Sequence, residues 1–194
     1  DDAAAFFGNV GQIGIRGDIR IGGKFIDGNP NPSILAYNMF PSGGGDMVFD
    51  TSDPYFQDTS GNSRRLRNVA SHEHGHGLGF DHVCPLLSQK LMEPRATTAF
   101  DGPQQDDIRG AQDWYGDIYE PNENAVGAEP FGTIVTGTTL NLGLVPAPSV
   151  QNAATLSINE DNTSPFANDE DWFQFSTQGG SFLTITLTPV GSTY

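Results

Sequence analysis

The sequence predicts an α+β chain in two parts: a mixed sheet with two helices over residues 1–117, then a small all-β, sandwich-like segment over 118–194. Three observations predict it. Isoleucine-rich and other apolar strand-like runs fill much of the first half. Two stretches at helical spacing interrupt them, and the composition turns acidic and Thr/Val-rich after Ile118.

Taken in order, Ile13, Ile15, Ile19 and Ile21 alternate within residues 12–21, the period of a half-buried strand, with a turn at Arg16-Gly17. Residues 34–40 are a second strand candidate and residues 47–49 a short third. Asn62 or Ser63 can cap a helix that presents Leu66, Val69, Ala70 and Glu73 and breaks between Gly77 and Gly79. Pro103 suits the first turn of another helix, with Ile108, Ala111 and Tyr115 at core spacing and Gly116 as its stop. Beyond the turn-rich acidic linker at 120–124, strand-like runs occupy 133–144, 154–158, 172–175 and 182–188. The 24 glycines and 13 prolines favour loops and short strands over long helices.

Charge narrows the partners. Acidic residues outnumber basic ones 24 to 9, a formal charge of −15, which argues against nucleic acid and anionic membranes. No Lys or Arg follows Arg109, while residues 118–194 carry eight acidic residues. No apolar run approaches the roughly 20 residues of a membrane-spanning helix. The opening Asp1-Asp2-Ala3-Ala4-Ala5-Phe6-Phe7 lacks the positive start of a signal peptide. The single Cys84 cannot form an internal disulfide, so cysteine usage leaves the compartment open.

The chemistry is concentrated in His72-Glu73-His74-Gly75-His76-Gly77-Leu78-Gly79-Phe80-Asp81-His82, which holds all four histidines of the chain. At about 100° per residue, His72 and His76 stack on one helix face a turn apart. Glu73 lies beside that face, within reach of a metal-bound water without ligating the metal. Gly79 can take the positive φ that turns the chain back and delivers His82. Three neutral imidazoles leave the fourth position of a tetrahedral zinc open, as a catalytic site requires. His74 points away from this face. A closed structural site is disfavoured because no cysteine or fourth histidine stands at ligand spacing. Beyond His82, Leu91-Met92-Glu93-Pro94 places an adaptable apolar Met92 where a tight turn beneath the metal needs one.

The pattern HExxHxxGxxH with a methionine turn is that of the metzincins, and within them this chain resembles the matrixins, the family of the matrix metalloproteinases and their bacterial relatives. The resemblance runs from about Gly17 to Gly116. It includes Gly17-Asp18-Ile19-Arg20-Ile21, Leu35-Ala36-Tyr37-Asn38-Met39-Phe40-Pro41, Gly44-Gly45-Asp46-Met47-Val48-Phe49-Asp50 and Gln105-Asp106-Asp107-Ile108-Arg109-Gly110-Ala111-Gln112. It implies a metzincin-type twisted sheet over the zinc-site helix, a Met-turn loop and a C-terminal helix. The family's additional upstream strand and long helix are not found, so the N-terminal part of the core is expected to be incomplete.

The same resemblance implies an extended peptide bound along Leu35, Ala36 and Asn38 by β-augmentation, with side-chain choice set around Met92 and Glu93. It places one structural calcium at Asp18, Asp46 and the carbonyls near Ser42 and Gly44, and a second near Asp27, Gly28, Asp50 and Asp53. Aspartates in glycine-rich turns also serve as ordinary loop caps, and both readings stand. The family's structural zinc is not expected, its two histidine positions being Tyr37 and Val48. Cys84 reads as a small buried or semi-exposed cysteine rather than a zinc ligand. Glu120-Pro121-Asn122-Glu123 and Asp169-Glu170-Asp171-Trp172-Phe173-Gln174-Phe175 resemble the bacterial pre-peptidase C-terminal domain, a small β-sandwich expected to be cut short at Tyr194.

The sequence therefore reads as a secreted, extracellular, monomeric zinc endopeptidase acting on protein or peptide substrates. Its site holds one catalytic Zn2+ at His72, His76 and His82 with Glu73 as general base, supported by structural Ca2+. One alternative is a non-catalytic binding or adhesion protein carrying a metzincin remnant, supported by the missing upstream core and the acidic second segment. Another is an enzyme acting on a non-peptide amide or ester with the same zinc chemistry.

Overall fold

The computed structural model describes residues 11–12, 17, 19–28, 34–84, 86–117, 119–122, 124–140, 142, 170–180 and 182–186. It divides into two compact units, residues 1–107 and 108–194. The division falls inside the second helix.

The first unit is built on a three-stranded sheet in the order β1-β3-β2. β1 (Ile21–Lys24) pairs in parallel with β3 (Met47–Asp50), and β2 (Ala36–Asn38) pairs antiparallel on its other side. β1 lies at the downstream end of the run expected over 12–21; residues 13–16 and Asp18 lie outside the described residues. β2 is shorter than the expected 34–40 because Pro41 opens a one-turn 3-10 helix that ends on left-handed Gly44. β3, central, buries Met47, Val48 and Asp50. Arg20 ties the entrance of β1 to that of β3: its backbone N–H and Nε donate to the buried Asp46 carboxylate at 3.0 and 3.1 Å, and its guanidinium completes an ion pair.

Helix α1 (Ser60–Gly77) packs on β2 and β3. Gly61, Asn62 and Ser63 stand at φ 60°, 58° and 56°, so the right-handed helix begins at Arg64, directly after the expected cap. Left-handed backbone is costly at Asn62 and Ser63, and Arg67 braces it by donating to the carbonyls of Asn62 and Gly61 at 2.9 and 3.0 Å. Leu66 shares the face of Val69 and Glu73 but is exposed, because burial along α1 starts only at Asn68.

Helix α2 (Gln105–Tyr115) starts after Pro103, capped by Asp107, whose carboxylate accepts the Gln104 N–H at 2.7 Å. Gly116, at φ 76°, stops it and donates to Gln112. None of its residues is buried, and Tyr115, expected in the core, is exposed. Helical spacing marks which residues share a face, not whether anything covers it.

In the second unit β4 (Glu129–Ile134) pairs in parallel with β5 (Phe173–Thr177), beside a cluster of Tyr119, Phe131 and Phe173. Of the run expected as a strand over 182–188, residues 182–186 form no strand among the described residues, and 187–188 lie outside them. The candidate at 154–158 lies outside the described residues. No described helix is long and apolar enough to cross a membrane.

Replacing Arg20 by alanine removes the guanidinium that offsets the buried Asp46 charge, a loss of about 3 kcal/mol. A urea denaturation midpoint indistinguishable from wild type would show that the pair does not hold the sheet.

Candidate metal centre and substrate cleft

α1 carries His72 and His76 to its C-terminal end, and left-handed Gly79 (φ 103°) turns the chain so that His82 faces them. The His82 Nε2 lies 3.2 Å from that of His76 and 3.3 Å from that of His72. Each of the two helical rings has its other nitrogen occupied: Nδ1–H of His72 donates to the Leu91 carbonyl at 2.6 Å, and Nδ1–H of His76 to the Phe80 carbonyl at 2.7 Å. A carbonyl only accepts, so both protons sit on Nδ1 and both Nε2 atoms present bare lone pairs. The edge of a tetrahedron around zinc with bonds near 2.0–2.1 Å is about 3.3–3.4 Å, which both His82 distances match, and all three ligand atoms lie within 4.8 Å of one another. Burial first, then the neighbouring rings, pushes His72 down to about 4 against its bond to Leu91, and His82 is lowered for the same first reason. Neutral imidazoles are the ligating form. Among the described residues no other group of three or more His, Cys, Asp or Glu side chains converges in this way.

Glu73 is buried, and burial pushes its carboxyl up to about 7, opposed by the Asn38 N–H that it accepts. It opens with the three histidines onto a cavity of about 1230 Å³. β2 forms one wall. The Leu35 carbonyl accepts from Asp50 and the Met39 N–H donates to Asp46, so the odd-numbered residues face β3 and Ala36 and Asn38 turn their backbone groups outward. The expected set of Leu35, Ala36 and Asn38 thus divides. Leu35 commits its carbonyl to the sheet, and Asn38 spends its N–H on Glu73.

Met92 is buried directly beneath α1, and a Cβ on Gly75 would collide with its sulfur. Gly77 plays the same part against the Asn38 amide, whose Nδ2 would lie 2.7 Å from such a Cβ. Glu93, expected to shape side-chain choice, turns away from the cleft. Its buried carboxylate accepts the N–H groups of Ser88, Gln89 and Lys90 at 2.6, 2.8 and 2.9 Å and fixes the loop before the methionine. The cleft is lined instead by Leu91, Pro94, Ala96, Thr97 and Phe100. Gly75 and the buried Asn68 are further structural positions that spacing alone does not single out. His74 and Cys84 are exposed.

The aspartates expected to hold calcium are differently placed. Asp46 is compensated by Arg20. Asp50 accepts from the N–H groups of Asp27, Gly28 and Ser52 and from the Ser52 hydroxyl, which together hold it below the usual carboxylate range although burial pushes upward. Asp27 accepts the Ile34 N–H, and Asp53 caps Tyr55. Asp18 lies outside the described residues. Contacts of this kind hold turn aspartates with or without a cation.

Three imidazoles and a buried glutamate thus line one strand-walled cleft, and the imidazoles are a set of ligands that fits zinc. The Matrixin family model matches residues 16–116, just over half of the 194 residues, and the chain belongs to that family. It is 34% identical over 121 residues to matrix metalloproteinase-27 of Tupaia belangeri, a match covering 58% of this chain and 22% of the relative. It is also 34% identical over 112 residues to matrix metalloproteinase-15 of Homo sapiens, covering 56% and 16% respectively. The match thus spans about a fifth of the relatives' own length.

Gly75→Val forces a branched side chain against Met92 and destabilises by about 1–3 kcal/mol. Thermal denaturation of the variant checks this, and an unchanged Tm would place Met92 elsewhere.

Proposed function

We propose that the chain is a secreted zinc endopeptidase that hydrolyses extended protein segments. The observation that carries this reading is the convergence of three Nε2 atoms beside a buried glutamate in an open cleft. His72, His76 and His82 would hold the ion. When bound, zinc supplies a Lewis acid that polarises a peptide carbonyl and makes water acidic enough to attack it near neutral pH. A Glu73 carboxylate oxygen takes the proton of the attacking water and returns it to the departing amine. The outward Ala36 N–H and C=O and the Asn38 C=O bind the substrate backbone as an added strand. The non-catalytic alternative is not favoured, since the ligands and the glutamate are all retained.

We also propose calcium at the turn carrying Asp27, Asp50 and Asp53. Its support is one atom: the Asp53 Oδ2, buried without a hydrogen-bond partner. Calcium should raise the Tm of the wild type and leave that of Asp53→Ala unchanged; equal shifts in both would remove this site.

Glu73→Ala is expected to lower casein hydrolysis by more than about a hundredfold while zinc stays bound. Retained hydrolysis would exclude Glu73 as the base. Only ionised Glu73 can accept a proton, so activity rises with pH through its pKa. Without metal that value is about 7, and a nearby cation favours the carboxylate. The acidic limb of the kcat/KM profile should therefore fall below pH 7 and vanish in Glu73→Ala; a limb centred well above 7 contradicts the assignment.

A further inference from the structure

Beyond the methionine turn the cleft is walled by Pro94, Arg95, Ala96 and Thr97. The chain is pinned on either side of Arg95. Before it, the buried Glu93 accepts the N–H groups of Ser88, Gln89 and Lys90. After it, the Asn68 Nδ2 donates to the carbonyls of Thr97 and Phe100 at 2.8 and 3.0 Å. The Arg95 backbone is held between these anchors, while its side chain is exposed. What sets this arginine apart is its charge. The chain has 24 acidic and 9 basic residues, so a base finds a carboxylate easily. Arg20 pairs with Asp46, Arg65 with Asp58, Arg64 and Arg67 with Asp101, and Lys90 with Asp106. Lys24 lies over the Tyr37 ring, and Arg109 is engaged as well. Of the basic side chains among the described residues, Arg95 alone has no carboxylate, carbonyl or ring partner. The carboxylates that share the cleft turn elsewhere: Asp53 caps Tyr55, and Asp81 accepts the His82 N–H at 2.7 Å.

We propose that Arg95 determines specificity by charge, selecting peptides that carry a glutamate or aspartate within three residues of the scissile bond. This inference rests on the peptidase reading above. Arg95 follows Met92, buried beneath α1, by three residues, and so short a chain spans at most about 11 Å. An added strand advances about 3.4 Å per residue, so the guanidinium meets a side chain close to the bond being cut. Its planar fork of donors matches a carboxylate, which binds it through two parallel hydrogen bonds. The chain's net charge of −15 repels an acidic peptide in general. At this wall the peptide meets a cation that no internal carboxylate has neutralised. The pair forms in contact with solvent, so it sets a preference rather than a strict requirement.

The test compares zinc-loaded wild type, Arg95→Gln and Arg95→Glu on one uncharged host peptide and its single replacements. Each of the three positions on either side of the cleaved bond carries glutamine, glutamate or lysine in turn, and kcat/KM is measured for each. Wild type should prefer glutamate over glutamine at one or more positions by about three- to fivefold. Arg95→Gln should abolish that preference, and Arg95→Glu should invert it in favour of lysine. Raising the salt from about 0.01 M to about 1 M should flatten the wild-type preference by screening. A merely structural role would lower hydrolysis of every peptide together and leave these ratios and their salt dependence unmoved. Both substitutions fall at an exposed position, and each ratio is taken within one variant, so general damage cancels. Wild type that cleaves the host without preferring glutamate anywhere overturns the inference and leaves the peptidase reading intact. A glutamate preference that survives Arg95→Glu does the same. Failure of wild type to cleave even the uncharged host overturns the peptidase reading, and the inference falls with it.

Discussion

The first unit's active face is organised by three imidazole nitrogens facing one point. His72 reaches it from α1 while its Nδ1–H holds the Leu91 carbonyl; His76 reaches it while holding the Phe80 carbonyl. The two rings therefore tie the helix to the methionine turn and to the turn that delivers His82. The His82 Nε2 stands 3.2 and 3.3 Å from the Nε2 atoms of His76 and His72, close enough for one cation to join all three rings. Metal binding and the conformation of residues 78–92 are thereby linked, since the free energy of ligation also holds the loop.

Around that point the frame is unusually polar. Among the described residues the buried apolar set is small, Ala36, Met47, Val48, Val69, Leu91 and Met92, and the buried polar set is at least as large. Four of the buried polar residues each anchor a particular segment. Asp46 takes Arg20, Asp50 gathers the 27–28 and 52 turns, Glu93 closes the 88–90 loop, and Asn68 holds 97–102. A glycine- and proline-rich chain cannot fix long loops by packing alone. Buried carboxylates and amides that accept or donate several backbone hydrogen bonds supply the constraint, because leaving any of those groups unpaired is costly.

What spacing alone could convey was local. The positions of His72, Glu73, His76, Gly79 and His82 follow from helix geometry and a single left-handed glycine, and the stops at Pro41 and Gly116 follow from equally local backbone rules. Whether a face is covered is a long-range matter, which is why Leu66 and Tyr115 are exposed despite core-like spacing and the 182–186 alternation makes no strand. The roles of Asn68, Glu93 and Arg20 were illegible for a related reason. Two of these contacts join residues 26 and 34 positions apart. The third turns a glutamate inward from a position that spacing could only place beside the cleft. The division of β2 was also hidden, since which carbonyls face outward depends on the register with β3.

The account depends on the three imidazoles sharing an ion, and elemental mass spectrometry of the purified chain tests that most directly. It predicts one zinc per chain in the wild type and a loss of that zinc when His76 is replaced by alanine. A wild type that binds none after dialysis against zinc, or a His76→Ala chain that keeps its full equivalent, would contradict it.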